Sequence, residues 1–295
     1  MSRLADVAPG ILVATSRRDH TTTTVVIADR GARSGPALLI DPSWEADELA
    51  ALARELSDRA LVPAAGLATH AHYDHLLWHP GFGTPPRWAS AETARRAREE
   101  RPSLITSLGP GWPAELIALL GDVTPAPGAM LAWAGPDVEL IIHDAHVPGH
   151  TGAWVADRKL LIAGDMLSDV ELPLPDNQPD ALASYLAGLD RLAPFVRRAA
   201  LVVPGHGAPT ADGSARLDAD RRYLDAVLAG RRPADPRLDN PDMAQAHRAT
   251  VLLARRPAVT QARQVRSSGR CKGLSPLTAP HPMTRATAGR GSAHL

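Results

Sequence analysis

One heptapeptide constrains this chain more than any other segment: Thr69-His70-Ala71-His72-Tyr73-Asp74-His75. Three of the twelve histidines fall within six residues, with an aspartate before the last of them. In extended chain, alternate side chains point to the same side, so His70 and His72 at a strand end can face one way. Asp74 and His75 follow where the chain is expected to turn into a helix. Four nitrogen and oxygen donors then converge on a small volume. Buried without partners they would be costly, and metal coordination removes that cost. The fold must therefore deliver further donors to the end of this strand.

Three later turns offer them. Val147-Pro148-Gly149-His150-Thr151 puts a histidine after a Pro-Gly turn, Leu161-Ile162-Ala163-Gly164-Asp165 ends an apolar run in an aspartate, and Val202-Val203-Pro204-Gly205-His206-Gly207 ends one in a histidine. Gly149, Gly164, Gly205 and Gly207 lack a Cβ and let backbone pass close to a crowded site. Each turn alone is a weak signal, because an apolar strand followed by Gly-Asp usually marks only a loop.

Hydrophobic patterning supplies the frame. Residues 22–28 (TTTVVIA) and 37–40 read as strands, the second stopping at Asp41-Pro42. A helix follows Ser43, with Leu49, Leu52, Ala53 and Leu56 on one face. Residues 66–69, after Leu61 and Val62, read as a buried strand running into His70. Helical patterns cover 91–100 and 114–120. Strands return at 138–142, 153–156 and 160–163, then a helix at 179–192, a strand at 199–203, and helices at 215–228 and 242–255. Runs of strands followed by helices, repeated in the second half, predict two sheets with helices outside rather than a continuous parallel βαβ alternation. Residues 1–255 are expected to form one domain. Residues 256–295 contain no Asp or Glu and no periodicity, and read as a disordered basic tail holding the single cysteine, Cys271.

Composition narrows the function. A formal net charge of zero gives no broad electrostatic grip on nucleic acid or an anionic membrane. One cysteine allows no internal disulfide, and the N-terminus does not resemble a signal peptide, so a cytoplasmic protein is expected. No apolar run is long enough to span a bilayer. No G-x-S-x-G elbow or other nucleophile motif is present.

HAHYDH, then PGHTG, AGDM and PGHG, in this order over about residues 10 to 210, resemble the metallo-β-lactamase superfamily. The resemblance implies an αβ/βα sandwich of two mixed sheets with helices on the outer faces. It implies two divalent metal ions, one on His70, His72 and His150, the other on Asp74, His75 and His206, with Asp165 bridging. By the same resemblance Asp41 orients a ligating histidine, although a plain turn residue fits its position equally. His143 and His146 do not match ligand positions and are expected to be non-ligands. His79, in the bulky Leu76-Leu77-Trp78-His79-Pro80 run, is expected at the surface or facing substrate.

The implied chemistry is hydrolysis by a water activated between the ions, with Asp74 taking or orienting its proton. Tyr73 is a second candidate for protonating the leaving group if it does not pack inward. Zinc suits a histidine-rich site, and two carboxylates also admit iron or manganese. Trp88, Trp112 and Trp133 are candidates for a partly apolar pocket wall. The expected substrate is a small molecule with an ester, thioester or lactone bond, as in the glyoxalase II-like branch. An iron-dependent oxygenase or redox protein, or a β-lactam or phosphodiester hydrolase, are alternatives on the same fold.

Overall fold

A computed structural model describes residues 4–42 and 45–256. The N-terminal half builds a seven-stranded sheet. Strands β1 (Ala5–Ala8), β2 (Ile11–Thr15), β3 (Thr22–Ile27) and β4 (Gly35–Ile40) form an antiparallel meander. Helix α1 (Ala46–Asp58) then crosses over to β5 (Leu61–Leu67), parallel to β4, and β6 (Arg87–Ala89) and β7 (Thr124–Pro125) extend the sheet in parallel. Helices α2 (Ala91–Glu99), α3 (Arg101–Leu108) and α4 (Ala114–Leu119) lie between the last two strands in sequence.

The second half builds a five-stranded sheet. Its strands are β8 (Met130–Leu131), β9 (Val138–His143), β10 (His150–Val155), β11 (Leu160–Gly164) and β12 (Leu201–Pro204), in the order β12-β11-β10-β9-β8. Only β11 and β12 are parallel, joined through helix α5 (Ala181–Val196). Helices α6 (Gly213–Leu228) and α7 (Pro241–Ala254) follow.

The period-two pattern of the strands decides how these layers stack. Ile11, Val13, Val26, Leu38 and Ile40 point into a core shared with Leu140, Ala153, Val155, Leu160, Ile162 and Val203 of the second sheet. Their neighbours Leu12, Ala14, Val25, Ile27 and Leu39 point the other way, onto Leu49, Leu52 and Leu56 of α1. On the far side, Ile141, Trp154 and Leu161 pack against Leu189 and Leu192 of α5 and Leu224 of α6. Strands buried on both faces explain the near-continuous apolar runs in the sequence. Burying each such Leu or Ile side chain contributes roughly 1.5–3 kcal/mol. The result is the expected αβ/βα sandwich.

Strands β1, β2, β6, β7 and β8 and helix α3 go beyond the sequence expectation, and several boundaries move, β5 among them, which spans Leu61–Leu67 where 66–69 was expected. Strands β1 and β2 are short and pair near the sheet edge. Helix α3 begins at Arg101-Pro102, and proline in the first turn costs no hydrogen bond because that N–H has no partner there in any helix. Strand β10 starts at His150 rather than at 153, which matters for the site. The expected Ser43 helix start, and the tail from 257 onward with Cys271, lie outside the described residues.

The two sheets are stitched where their strand ends meet. Thr22 N–H donates to Gly205 O at 2.6 Å, and Thr21 pairs with His206 as an isolated antiparallel bridge. That junction is also where the heptapeptide arrives.

Candidate metal centre

Parallel pairing of β4 with β5 puts Asp41 beside Thr69. The Asp41 carboxylate accepts from Thr69 N–H (2.8 Å) and from the Thr69 hydroxyl (2.6 Å). Asp41 itself sits at φ 48°, a left-handed conformation that aspartate tolerates better than most residues. Its Oδ2 accepts a third bond, from Nδ1 of His75 at 2.9 Å, which leaves His75 Nε2 pointing inward.

The same arrangement recurs at the other histidines. The Thr69 hydroxyl, already donating to Asp41, accepts from His70 Nδ1 at 3.0 Å. His146 Nδ1 donates to Leu174 O at 2.8 Å, and His206 Nδ1 donates to Asp19 O at 2.7 Å. A carbonyl oxygen can only accept, so these contacts place a proton on Nδ1 and leave Nε2 as the nitrogen that faces the cluster. His72 instead turns Nδ1 inward, 3.0 Å from His70 Nε2 and 3.1 Å from His146 Nε2.

The free donors gather in two cups. His70, His72, His146 and Asp165 form one, and Asp74, His75 and His206 form the other, with ligand atoms in each cup within 4.8 Å of one another. Asp165 touches both: Oδ2 lies 3.2 Å from His70 Nε2 and 3.4 Å from His206 Nε2, and Oδ1 lies 3.2 Å from His75 Nε2. Asp74 Oδ2 is 3.4 Å from both His75 Nε2 and His206 Nε2.

Two glycines let these walls close. A Cβ on Gly205 would collide with Asp165 Oδ1, and one on Gly164, at φ +56°, with His150 Nε2.

Of the seven residues expected to hold metal, six meet here and one does not. His150 lies in β10, paired in register with His143 of β9. Its Nε2 accepts the backbone N–H of Asp165 at 3.0 Å, and its Nδ1 faces His143 Nε2 at 3.4 Å. Both ring nitrogens are thus engaged behind the cluster. His146, at the tip of the β9–β10 loop, is the histidine that the cup contains, against the expectation that it is a non-ligand. The Pro-Gly turn follows the donor instead of preceding it, and only the strand boundary reveals this. His143 lies outside the two cups, with its Nε2 against His150 Nδ1.

The other expectations resolve as follows. His79 starts a short helical turn, accepting from Gly81 N–H at 2.9 Å and packing on Phe82, away from the cluster. Tyr73 and Trp112, with Leu77 and Leu108, line a cleft that reaches Asp74. Trp88 belongs to the core between the sheets, and Trp133 donates to Pro136 O. One acidic residue escaped the sequence reading. Glu171 lies 3.7 Å from His206 Nδ1, in a loop with no motif around it.

Burial and charge separate the two cups. Burial holds His70 well below the usual histidine range and pushes His146 down to about 4, so both are neutral at pH 7. His72 is lowered for the same reason. In the other cup burial also opposes charge on His75 and His206, but the carboxylates win. Asp165, Asp74 and Asp41 raise His75 well above its ordinary value, and Asp165, Glu171 and Asp74 raise His206 to about 10. Against their own burial, Asp74 and Asp165 are held below the usual carboxylate range by His75 and His206.

The donor set fits divalent cations. Three neutral histidines and a shared carboxylate face a second group of two histidines and a carboxylate. Asp165 Oδ1 is buried with no hydrogen-bond partner, an expensive state that a cation would relieve.

Comparison with known proteins bears on the family and the fold. The family model described as the metallo-beta-lactamase superfamily matches residues 17–214. An uncharacterized protein of Mycobacterium leprae (strain TN) is 26% identical over 219 residues, 65% of this chain and 88% of that protein. Among solved structures, a metallo-beta-lactamase family protein from Thermus thermophilus superposes with a TM-score of 0.61 at 20% identity, covering 84% of this chain and 92% of the other. A beta-lactamase domain protein from Burkholderia ambifaria superposes with a TM-score of 0.58 at 19% identity, covering 77% and 76%. These structural likenesses speak to the fold.

Proposed function

The chain belongs to the metallo-β-lactamase superfamily, and on that premise we propose that it is a metal-dependent hydrolase of small molecules, cleaving an ester, thioester or lactone bond. The observation that carries this reading is the pair of donor cups sharing Asp165. His70, His72 and His146 would hold one ion, Asp74, His75 and His206 the other, and Asp165 both. Histidine-rich cups of this kind favour zinc. A pair of divalent cations there would supply a Lewis acid for the substrate carbonyl and lower the pKa of water toward neutrality.

The chain's own residues do the rest. Asp74, kept ionised by His75 and His206, is an acceptor positioned to take or orient the proton of the attacking water. Asp41, Thr69, Asp19 and Leu174 hold the imidazoles in one tautomer and orientation, so no reorganisation is needed at the moment of reaction. The cleft beside Asp74 is small and mixed: Leu77, Leu108 and Trp112 line it together with Ser16, Asp19 and Thr21, and its one arginine, Arg18, is paired with Glu45 at 3.2 Å. Among the described residues of that wall, an anionic phosphodiester would find no unpaired cation.

The test is metal analysis joined to a hydrolysis screen over thioesters, lactones, β-lactams and phosphodiesters. Metal-dependent turnover of an ester, thioester or lactone, lost in Asp74→Ala, is the expected result. Turnover confined to phosphodiesters, or bound iron with oxygen uptake and no hydrolysis, would contradict it.

A further inference from the structure

Away from the metal cups, helix α6 and the segment 231–237 enclose a cavity of about 510 Å³. Five arginines reach its wall, and they fall into two groups. Arg216 is paired with Asp169 at 3.1 Å, and Arg237 with Asp220 and Asp235 at 2.7 and 2.8 Å. These are structural pairs. Arg237 also donates to Ser168 O and Glu171 O, tying down the loop whose Ser168 hydroxyl holds His206 O at 2.8 Å.

Arg222, Arg231 and Arg232 are different. None has a carboxylate within ion-pair distance among the described residues, and the one acid left unpaired in the wall is Asp225. Three guanidiniums, set against Asp225 and the second aspartate on Arg237, leave an excess of one positive charge. Gly230, at φ +66°, ends α6 and folds the chain back so that Arg231 N–H donates to Ala226 O at 2.8 Å. That turn aims two successive arginines at the cavity. A helix C-terminus favours a cation, but it does not gather three around one void. Tyr223, Pro233 and Pro236 give the same cavity an apolar side.

We propose that this cavity binds a small organic molecule bearing a phosphate group. A carboxylate has one charge and two oxygens, which a single guanidinium satisfies. A phosphate monoester has nearly two charges and three terminal oxygens, enough acceptors for the several unpaired forks available. The volume exceeds that of the ion alone and is ordinary for a small-molecule site. The apolar side would take the organic body.

Titration calorimetry on the full-length, metal-loaded protein at constant ionic strength tests this with inorganic phosphate, phenylphosphonate and acetate as probes. Phenylphosphonate is expected to bind saturably and more tightly than phosphate, and acetate not to bind. The double variant Arg231→Ser, Arg232→Ser should weaken phenylphosphonate at least about tenfold, and Asp225→Asn should tighten it. No saturable binding to the wild type would overturn the proposal. So would equal affinity in the double variant, which would place the probe at the metal cups. Equal affinity for phosphate and phenylphosphonate would overturn the assignment to an organic phosphate.

Discussion

The loop at 69–75 and the β9–β10 loop at 144–149 bring histidines to the same cluster by different means. In the first, the donors are adjacent in sequence, and spacing alone puts them on one side of a strand end. In the second, three residues separate two histidines, and the start of β10 decides between them. His150 lies inside the strand, where its ring accepts the Asp165 N–H. His146 lies just outside it, where one nitrogen is spent on Leu174 O and the other is free. A histidine becomes a metal donor when the backbone leaves it a lone pair facing the site, and sequence order does not report that.

The largest expected effect separates these two loops most sharply. His146→Ala removes a donor from the first cup and should lower kcat/KM by more than about a hundredfold, beyond the range seen for outer partners of a metal ligand. Steady-state kinetics checks it, and near-normal activity would return His146 to the bystanders. Next is Asp41→Asn, which should weaken metal binding roughly 10–100-fold by loosening His75 and Thr69 together. Competition with a chromogenic chelator measures that loss.

The two cups should also differ in their response to pH. His70 and His146 are already neutral, so a cation meets no proton there. His206, raised to about 10 by the surrounding carboxylates against its burial, is protonated at neutral pH in the metal-free protein. Uptake at that cup must release the proton. Its affinity should therefore rise with pH, by about tenfold per unit for each proton displaced, and proton release should be measurable in weakly buffered solution. A pH-independent affinity for both ions would contradict this. The smallest effect is expected from His79→Ala. It removes only the hydrogen bond to Gly81 N–H and the contact with Phe82, and should leave kcat/KM within about twofold.

Much of this was legible before any coordinates. The β-branched run of β3 and the apolar run of β4 marked strands, and the amphipathic face of α1 marked a helix. The heptapeptide named four donors because its local geometry is set by adjacent residues. Asp165 and His206 were legible only through the order of their turns after the heptapeptide, which resembles that of the superfamily. His146 was not, because its role depends on where a hairpin pairs, and on a carbonyl at Leu174 that is distant in sequence. Glu171 and the arginine-lined cavity were equally invisible. Both depend on loops folding back onto helices, which leaves no periodic trace.

The geometry assigns the remaining place in the first cup to His146, and not to His150. Metal content per chain, measured by inductively coupled plasma mass spectrometry on wild type, His146→Ala and His150→Gln after dialysis at one fixed free-zinc concentration, tests it directly. The glutamine oxygen can still accept the Asp165 N–H. Two ions in the wild type and in His150→Gln, with one lost in His146→Ala, is the predicted result. Full occupancy in His146→Ala together with loss in His150→Gln would contradict the account.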